Sequence, residues 1–413
     1  MILNVKRNLL LFLNVVLIVA CSNQNWEVKK AKTPKLEPIH TQKTDANDSL
    51  VAQVGYQLEE SLYDSKVDFF LNKFNLDRFG QLSTYSEYED GQLKKFKKGF
   101  IEGFSKGITS LPEKIISTID TGGFYDFLDY YYDADAKTYR MLFRLFSEED
   151  GINYHDFELV LIDGQFYIQD IYIYLTGENL SETANMIYLM SMPKNLFEKI
   201  ISKNNSKDMN YLVKAVSSQR TLQNETALTY LNRIEGELKH TKIYHVMKIL
   251  ATSDLDESLY MNAMIDMQKD YKDDPTCHLL SIDYYFMNEE YDKAILNIDQ
   301  LEEETGDSFL NYHRGNIAFA AERYNDATSY YEKLVEDFPT YDTPRFSLIS
   351  CYLEMDNYKK CIATLDLILA NDLYLVSDLI EFVESEEEDG TNPLLLLAQS
   401  KDYKDWKNRQ TNR

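Results

Sequence analysis

Tryptophan is nearly absent from this chain. Its 413 residues include only Trp26 and Trp406, and both fall outside the segments whose patterning predicts folded domains. A glycan platform built on exposed indoles has little to stand on here. Glycine (15) and proline (8) are also scarce, which excludes a collagen-like chain and a loop-rich all-β protein. Four cysteines cannot build a dense disulfide framework. Basic residues are outnumbered 43 to 68, for a formal net charge of −25. Such a surface repels a polyphosphate and opposes non-specific nucleic-acid binding. The six histidines (His40, His155, His240, His245, His278, His313) show no metal-ligand spacing. No phosphate loop, dinucleotide fingerprint or nucleophile elbow occurs, so no cofactor or metal is implied. What remains is ordinary globular composition: 44% hydrophobic, 13% aromatic and 27% charged. At roughly 100–200 residues per domain, the length predicts two or three domains.

The N-terminus reads as an address. Lys6 and Arg7 precede an apolar run from Leu9 to Ala20, broken only by Asn14. The run is too short for a membrane span of about 20 residues and has the size of a signal-peptide core. It ends Ile18-Val19-Ala20-Cys21. This resembles a bacterial lipobox, which implies cleavage before Cys21 and acylation of that cysteine, with diacyl and palmitate-type chains. Two or more chains hold a protein firmly, at roughly 0.8 kcal/mol per buried CH₂. The protein is then anchored to a membrane without spanning it. Ser22 after the cysteine implies, by the same resemblance, sorting to the outer membrane. Residues 1–20 are the signal peptide and residues 21–46 a flexible, lysine- and proline-bearing tether.

Residues 47–200 predict an α+β domain. Val51, Val54, Leu58 and Leu62 repeat at helical spacing. Phe96, Phe100, Phe104 and Ile108 form a second stripe, with Gly99, Gly103 and Gly107 beside it. Each glycine costs about 1 kcal/mol against alanine in a helix. Close approach of another backbone across a sheet is the expected reason; a lysine-flanked membrane-surface face is the rival. Tyr139, Met141, Phe143 and Leu145 alternate with Arg140, Leu142 and Arg144, which is strand periodicity. His155, Phe157, Leu159 and Leu161 do the same, and Asp163-Gly164 reads as a hairpin turn. A third strand runs Phe166–Leu175, with Ile168, Asp170 and Tyr172 expected opposite Gln169, Ile171 and Ile173. Asn179 with Glu182 forms a capping box. Helices followed by an antiparallel meander resemble the NTF2-like (cystatin-like α+β) cone. Some relatives of that fold use a carboxylate and a tyrosine in the cone. Tyr125, Asp126, Asp129, Tyr130, Tyr131, Tyr132 and Asp170 are candidates of those types, set against the 31 tyrosines of the chain.

Residues 205–375 repeat. Tyr291, Tyr324 and Tyr358 recur at steps of 33 and 34 residues, and Ala294, Ala327 and Cys361 keep the same steps. With Gly315, Tyr331 and Pro339 in the middle copy, the pattern resembles the tetratricopeptide repeat. Asn311 stands where that repeat wants a large aromatic, and Ile349 where the last copy wants glycine. Tyr260, Ala263 and Pro275 keep the offsets of one further pair, and Asn224–Leu238 is expected as the second helix of another. The fold class is therefore mixed and mainly α: an α+β domain, then a helical-repeat solenoid. Residues 376–413 provide a capping helix and tail.

By resemblance, the first helix of each pair lines a concave groove. Leu279, Asp283 and Phe286 do so in one copy, Tyr312, Asn316 and Phe319 in the next, then Phe346, Ser350 and Leu353. This surface is apolar and aromatic with few cations, and suits a peptide with an apolar stripe. Cys351 and Cys361 lie on partner helices, so they are expected either as reduced core thiols or as a disulfide. The expected function is a non-enzymatic, membrane-anchored lipoprotein mediating protein–protein interaction in the cell envelope. The alternative is a nutrient- or small-ligand-binding lipoprotein using the cone domain or the groove.

Overall fold

The structure, a computed structural model, describes residues 38–84, 91–148, 151–193, 206–253, 255–271, 275–370, 373–386 and 391–412. Cys21 and the signal peptide lie outside the described residues. The chain divides into two compact units, residues 2–281 and 282–413.

The first unit opens with α1 (Asp45–Tyr63), α2 (Val67–Lys73), α3 (Leu76–Ser83), α4 (Gly91–Gly107) and α5 (Ser110–Asp120). Thr44 caps α1 by accepting from the Asn47 N–H. Val51, Val54, Leu58 and Leu62 are all buried, as their spacing predicts. The strands follow in simple antiparallel order: β1 (Phe124–Asp133), β2 (Thr138–Ser147), β3 (Gly151–Ile162), β4 (Gln165–Ile173) and β5 (Glu178–Asn179). Asp163 and Gly164 both take positive φ, at 50° and 76°, which lets a two-residue turn match the twist of β3 and β4.

Pairing register separates the sheet into two faces. Phe127, Phe143 and His155 lie across from one another on one face, and so do Met141, Phe157 and Ile171. These residues are apolar apart from His155, and α1 lies on β1 so closely that the Phe127 ring fills the space beside Gly55. The other face sets a polar network among buried apolar residues such as Leu142, Phe146 and Ile152. Arg144 pairs with Asp126, Arg140 bonds Asp156 at 2.8 Å, and the Tyr131 hydroxyl donates to Asp156 at 2.7 Å.

Two bulges depart from the simple alternation. β1 escapes a period-2 reading because its register shifts between Phe127 and Asp129. A second shift in the β3/β4 ladder leaves Gln169 unpaired, so Leu159 faces Ile168 and Glu158 faces Asp170. Ile168 therefore shares a face with Ile171 and Ile173, not with Asp170 as strict alternation requires.

The glycine stripe of α4 also differs from expectation. Gly99 is exposed, and a Cβ there would meet open space. No backbone approaches it. The aromatic stripe packs on helices: Phe104 stacks on Phe79 of α3 at 4.6 Å, and Phe100 meets Tyr188 edge-on at 5.1 Å. Tyr188 belongs to α6 (Leu180–Ser191), which begins where the Asn179 N–H donates to the Glu182 carboxylate at 3.0 Å, the half of the expected capping box that forms.

The first unit continues with α7 (Ser206–Arg220), α8 (Asn224–Leu231), a 3₁₀ turn (Glu237–His240), α9 (Lys242–Ser253) and α10 (Glu257–Tyr271). The helix expected to reach Leu238 stops at Leu231. Asp208 explains the break, since its carboxylate accepts the Gly236 N–H at 2.6 Å and the Glu235 N–H at 3.3 Å. Helix α11 (Pro275–Met287) carries the division between the units.

The second unit is helical among its described residues: α12 (Tyr291–Thr305), α13 (Asn311–Ala320), α14 (Tyr324–Asp337), α15 (Thr343–Glu354), α16 (Tyr358–Leu369), α17 (Val376–Glu384), α18 (Leu395–Gln399) and α19 (Lys401–Thr411). Trp406 is not outside the folded chain. It is fully buried on α19, stacks with Tyr403 and donates from Nε1 to Asp366 of α16 at 2.8 Å. Within residues 376–413 it is the C-terminal helix α19 that packs on α16 of the last pair.

Candidate partner-binding face

The three helix pairs α11–α12, α13–α14 and α15–α16 are closed by the same backbone device. Glu289, Glu322 and Asp356 sit in the left-handed region at φ 59°, 58° and 54°. The next N–H reaches back five residues: Glu290 to Tyr285 O (2.8 Å), Arg323 to Ala318 O (2.8 Å) and Asn357 to Tyr352 O (2.7 Å). This is the Schellman arrangement that satisfies the orphan carbonyls of a helix end. Leu222, between α7 and α8, repeats it at φ 57°, with Gln223 N–H to Ser218 O at 2.9 Å. The α7–α8 turn is therefore built like the turns of the clear repeats. The repeating tyrosines begin α12, α14 and α16, and the small residues Ala294, Ala327 and Cys361 are fully buried where these helices meet their partners.

The residues predicted to line the groove separate into two sets. Leu279, in the first unit, is buried. In the second unit Asp283, Tyr312 and Leu353 are buried as well. Tyr312 is enclosed by Phe309 and Tyr341, with ring centroids 6.0 and 5.6 Å away. Burial drives the Asp283 carboxyl well above the usual carboxylate range, and its Oδ1 has no hydrogen-bond partner among the described residues. Phe286, Asn316, Phe319, Phe346 and Ser350 are half-exposed. Phe286 meets Tyr291 at 6.0 Å and Phe319 meets Tyr324 at 5.4 Å, the same contact one repeat apart. Phe346 is covered from one side by Tyr374 and Phe382, at 5.3 and 4.8 Å. The accessible part of the face is thus Phe286, Asn316, Phe319 and Ser350.

Arg314 is a cation that the sequence reading missed. It is buried on α13 between Asp299 (2.7 Å) and Glu302 (2.5 Å), and also donates to Asn311 at 3.2 Å. Asn311, the departure from the repeat pattern, accepts from this arginine where an aromatic could not. Cys351 and Cys361 are free and buried, and burial pushes both thiols up to about 12. Cys361 donates to the Ile349 carbonyl at 3.5 Å. The two thiols are core residues and form no disulfide.

The polar candidates of the sheet are engaged with one another. The Tyr125 hydroxyl bonds His155 Nδ1 at 3.1 Å, deep in the apolar face, and burial pushes the His155 imidazole down to about 3. Tyr132 donates to Thr41 O at 2.9 Å, and Asp129 accepts the Tyr130 N–H at 2.8 Å. Asp170 accepts from the Ser181 N–H at 3.0 Å and from its hydroxyl, which ties β4 to the first turn of α6. Burial raises its carboxyl to about 7. Among the described residues no group of three His, Cys, Asp or Glu is placed to hold a metal ion, and no helix is long and apolar enough to cross a membrane.

Residues 318–373 match the tetratricopeptide-repeat family. Among solved structures the chain is similar to MamA AMB-1, at 11% identity and a TM-score of 0.35, over 43% of this chain and 98% of that one. It is also similar to MamA MSR-1, at 12% identity and a TM-score of 0.34, over 40% and 96%. No curated protein matches. The matched segment runs from the end of α13 through α16, where the repeated turn, tyrosine and small residue all occur, so residues 318–373 are a tetratricopeptide-repeat region.

Proposed function

We propose that this chain is a lipid-anchored, non-enzymatic lipoprotein of a bacterial outer membrane whose repeat region holds a protein partner in an envelope assembly. The observation that carries the reading is the half-exposed set Phe286, Asn316 and Phe319 on helices of the repeat region, of which residues 318–373 match the tetratricopeptide repeat. Aromatic anchors beside a hydrogen-bonding amide suit an apolar peptide stripe better than a charged tail. The lipobox-like Ile18-Val19-Ala20-Cys21 supports the anchor. Small-ligand or nutrient binding in the α+β domain has less support, because Tyr125, Asp126, Tyr131 and Asp170 bond to other residues of the chain.

Crosslinking in the native host, followed by pull-down on a C-terminal tag, tests the reading. Phe286→Ala with Phe319→Ala should abolish recovery of a defined envelope protein while the chain stays folded. Recovery unchanged by both substitutions would overturn it. Cys21→Ser should move the protein from the membrane to the soluble fraction.

A further inference from the structure

The chain carries 25 more negative than positive charges, yet one place on α7 and α8 gathers exposed cations. Lys207, Tyr211 and Lys214 stand at i, i+4 and i+7 on α7, so they form one stripe. Tyr230 on α8 and Arg233 just beyond it stand alongside. The two tyrosine rings lie 6.4 Å apart and are close to parallel, at 22°. The Arg233 guanidinium is 5.8 Å from the Tyr211 ring and 5.9 Å from the Tyr230 ring. Lys207 covers Tyr211 at 5.8 Å and Lys214 covers Tyr230 at 5.5 Å. The three cations are exposed and the rings half-buried. None of the three has an ion-pair partner among the described residues. Asp208, the acid nearest in sequence, is buried and bonded to the backbone at 235–236.

We infer that this surface docks a short acidic segment of a partner protein. Cation–π contact holds the three charges in place over the rings, so they are ordered before any ligand arrives. Three ordered positive charges in an acidic chain steer and retain carboxylates. Other anions fit less well. Ring faces already covered by cations leave no platform for stacking bases or sugars. Among the described residues of α7 and α8 the large exposed apolar side chain is the lone Leu222 in the turn between them, whereas a membrane-surface helix needs an apolar face along its length. The inference stands independently of the groove, and its test keeps the two apart.

The probe is octaglutamate carrying a fluorophore, with octaserine as control, read by anisotropy on the full chain. Octaglutamate should bind, and high salt should weaken it. The neutral triple variant K207Q/K214Q/R233Q should bind about tenfold more weakly, since exposed pairs contribute modestly each and three act together. F319A should bind octaglutamate like the wild type. Equal binding of octaglutamate and octaserine, or unchanged affinity in the neutral variant, would overturn the proposal. So would loss only on charge reversal (K207E/K214E/R233E), which would mean general repulsion. Vesicles containing phosphatidylglycerol form the last arm: binding that follows the same variants, without octaglutamate binding, would assign the surface to lipid and overturn the peptide reading.

Discussion

The ring of Tyr331 occupies the space that a side chain on Gly315 would need. A Cβ built on Gly315 falls 2.7 Å from ring atoms Cδ1 and Cζ, far inside contact distance. The ring cannot retreat, because it is buried and its hydroxyl donates to Asn316 Oδ1 at 2.6 Å. Gly315→Ala therefore opposes two effects. Helix propensity favours alanine by about 1 kcal/mol, while overpacking costs about 1–3 kcal/mol. With the ring tethered, the clash wins. The variant should be less stable in urea unfolding, and a more stable G315A would show that the ring is free to move.

Tyr312 and Phe319 lie on the same helix and should behave differently. Tyr312→Ala empties a site enclosed by Phe309 and Tyr341 and should lose about 3–5 kcal/mol of stability. Phe319 is half-exposed, and its replacement should cost about 1 kcal/mol or less while removing a contact surface. Thermal melts of the two variants check this. If both melt alike, the partition of the face into core and surface positions is wrong.

Asp170 should make stability depend on pH in an unusual sense. Burial holds its folded value near 7, against roughly 3.9 unfolded. Between these values the folded state keeps a proton that the unfolded chain releases. The contribution is thus full below the unfolded value and is lost as pH rises through the folded one. His155, pushed down to about 3, works in reverse: its contribution is present above about 6.5 and fades as pH falls. The wild-type profile is a partial cancellation, so the informative quantity is the difference from Asp170→Asn. The asparagine keeps an acceptor for the Ser181 N–H and cannot titrate. Relative to the variant, the wild type should lose roughly 2–4 kcal/mol between pH 4 and 7. A difference that does not change with pH would mean that Asp170 stays ionised.

The thiols of Cys351 and Cys361 should be inert in the folded protein. Both are buried and both are raised to about 12, so almost no thiolate exists at neutral pH. Iodoacetamide should modify them only after denaturation, with or without prior reductant. Modification that requires reductant would reveal a disulfide.

Patterns of fixed period were legible in the sequence. The alternation of β2 and β3, the positive-φ pair Asp163-Gly164, the Glu182 bond to the Asn179 N–H and the repeated tyrosine and alanine positions all follow from local sterics and spacing. Each is determined within a few residues, or by copies of one unit. β1 escapes the pattern because a bulge breaks its alternation at Leu128, and Ile168 is expected on the wrong face because a bulge at Gln169 does the same. Trp406 looked like a tail residue because its partners, Tyr403 and Asp366, lie on two different helices.

The same boundary runs through the candidate face. By itself the sequence determined which positions belong to the first helix of each pair, because a 34-residue repeat carries its own register. Only the tertiary structure decided which of those positions meet solvent. Tyr312 and Phe319 are both aromatic and both on that helix, but neighbouring elements close over one and leave the other half open. Tyr211, Tyr230 and Arg233 came together in the same way, since a stack between two helices depends on how they pack and leaves no period in either one.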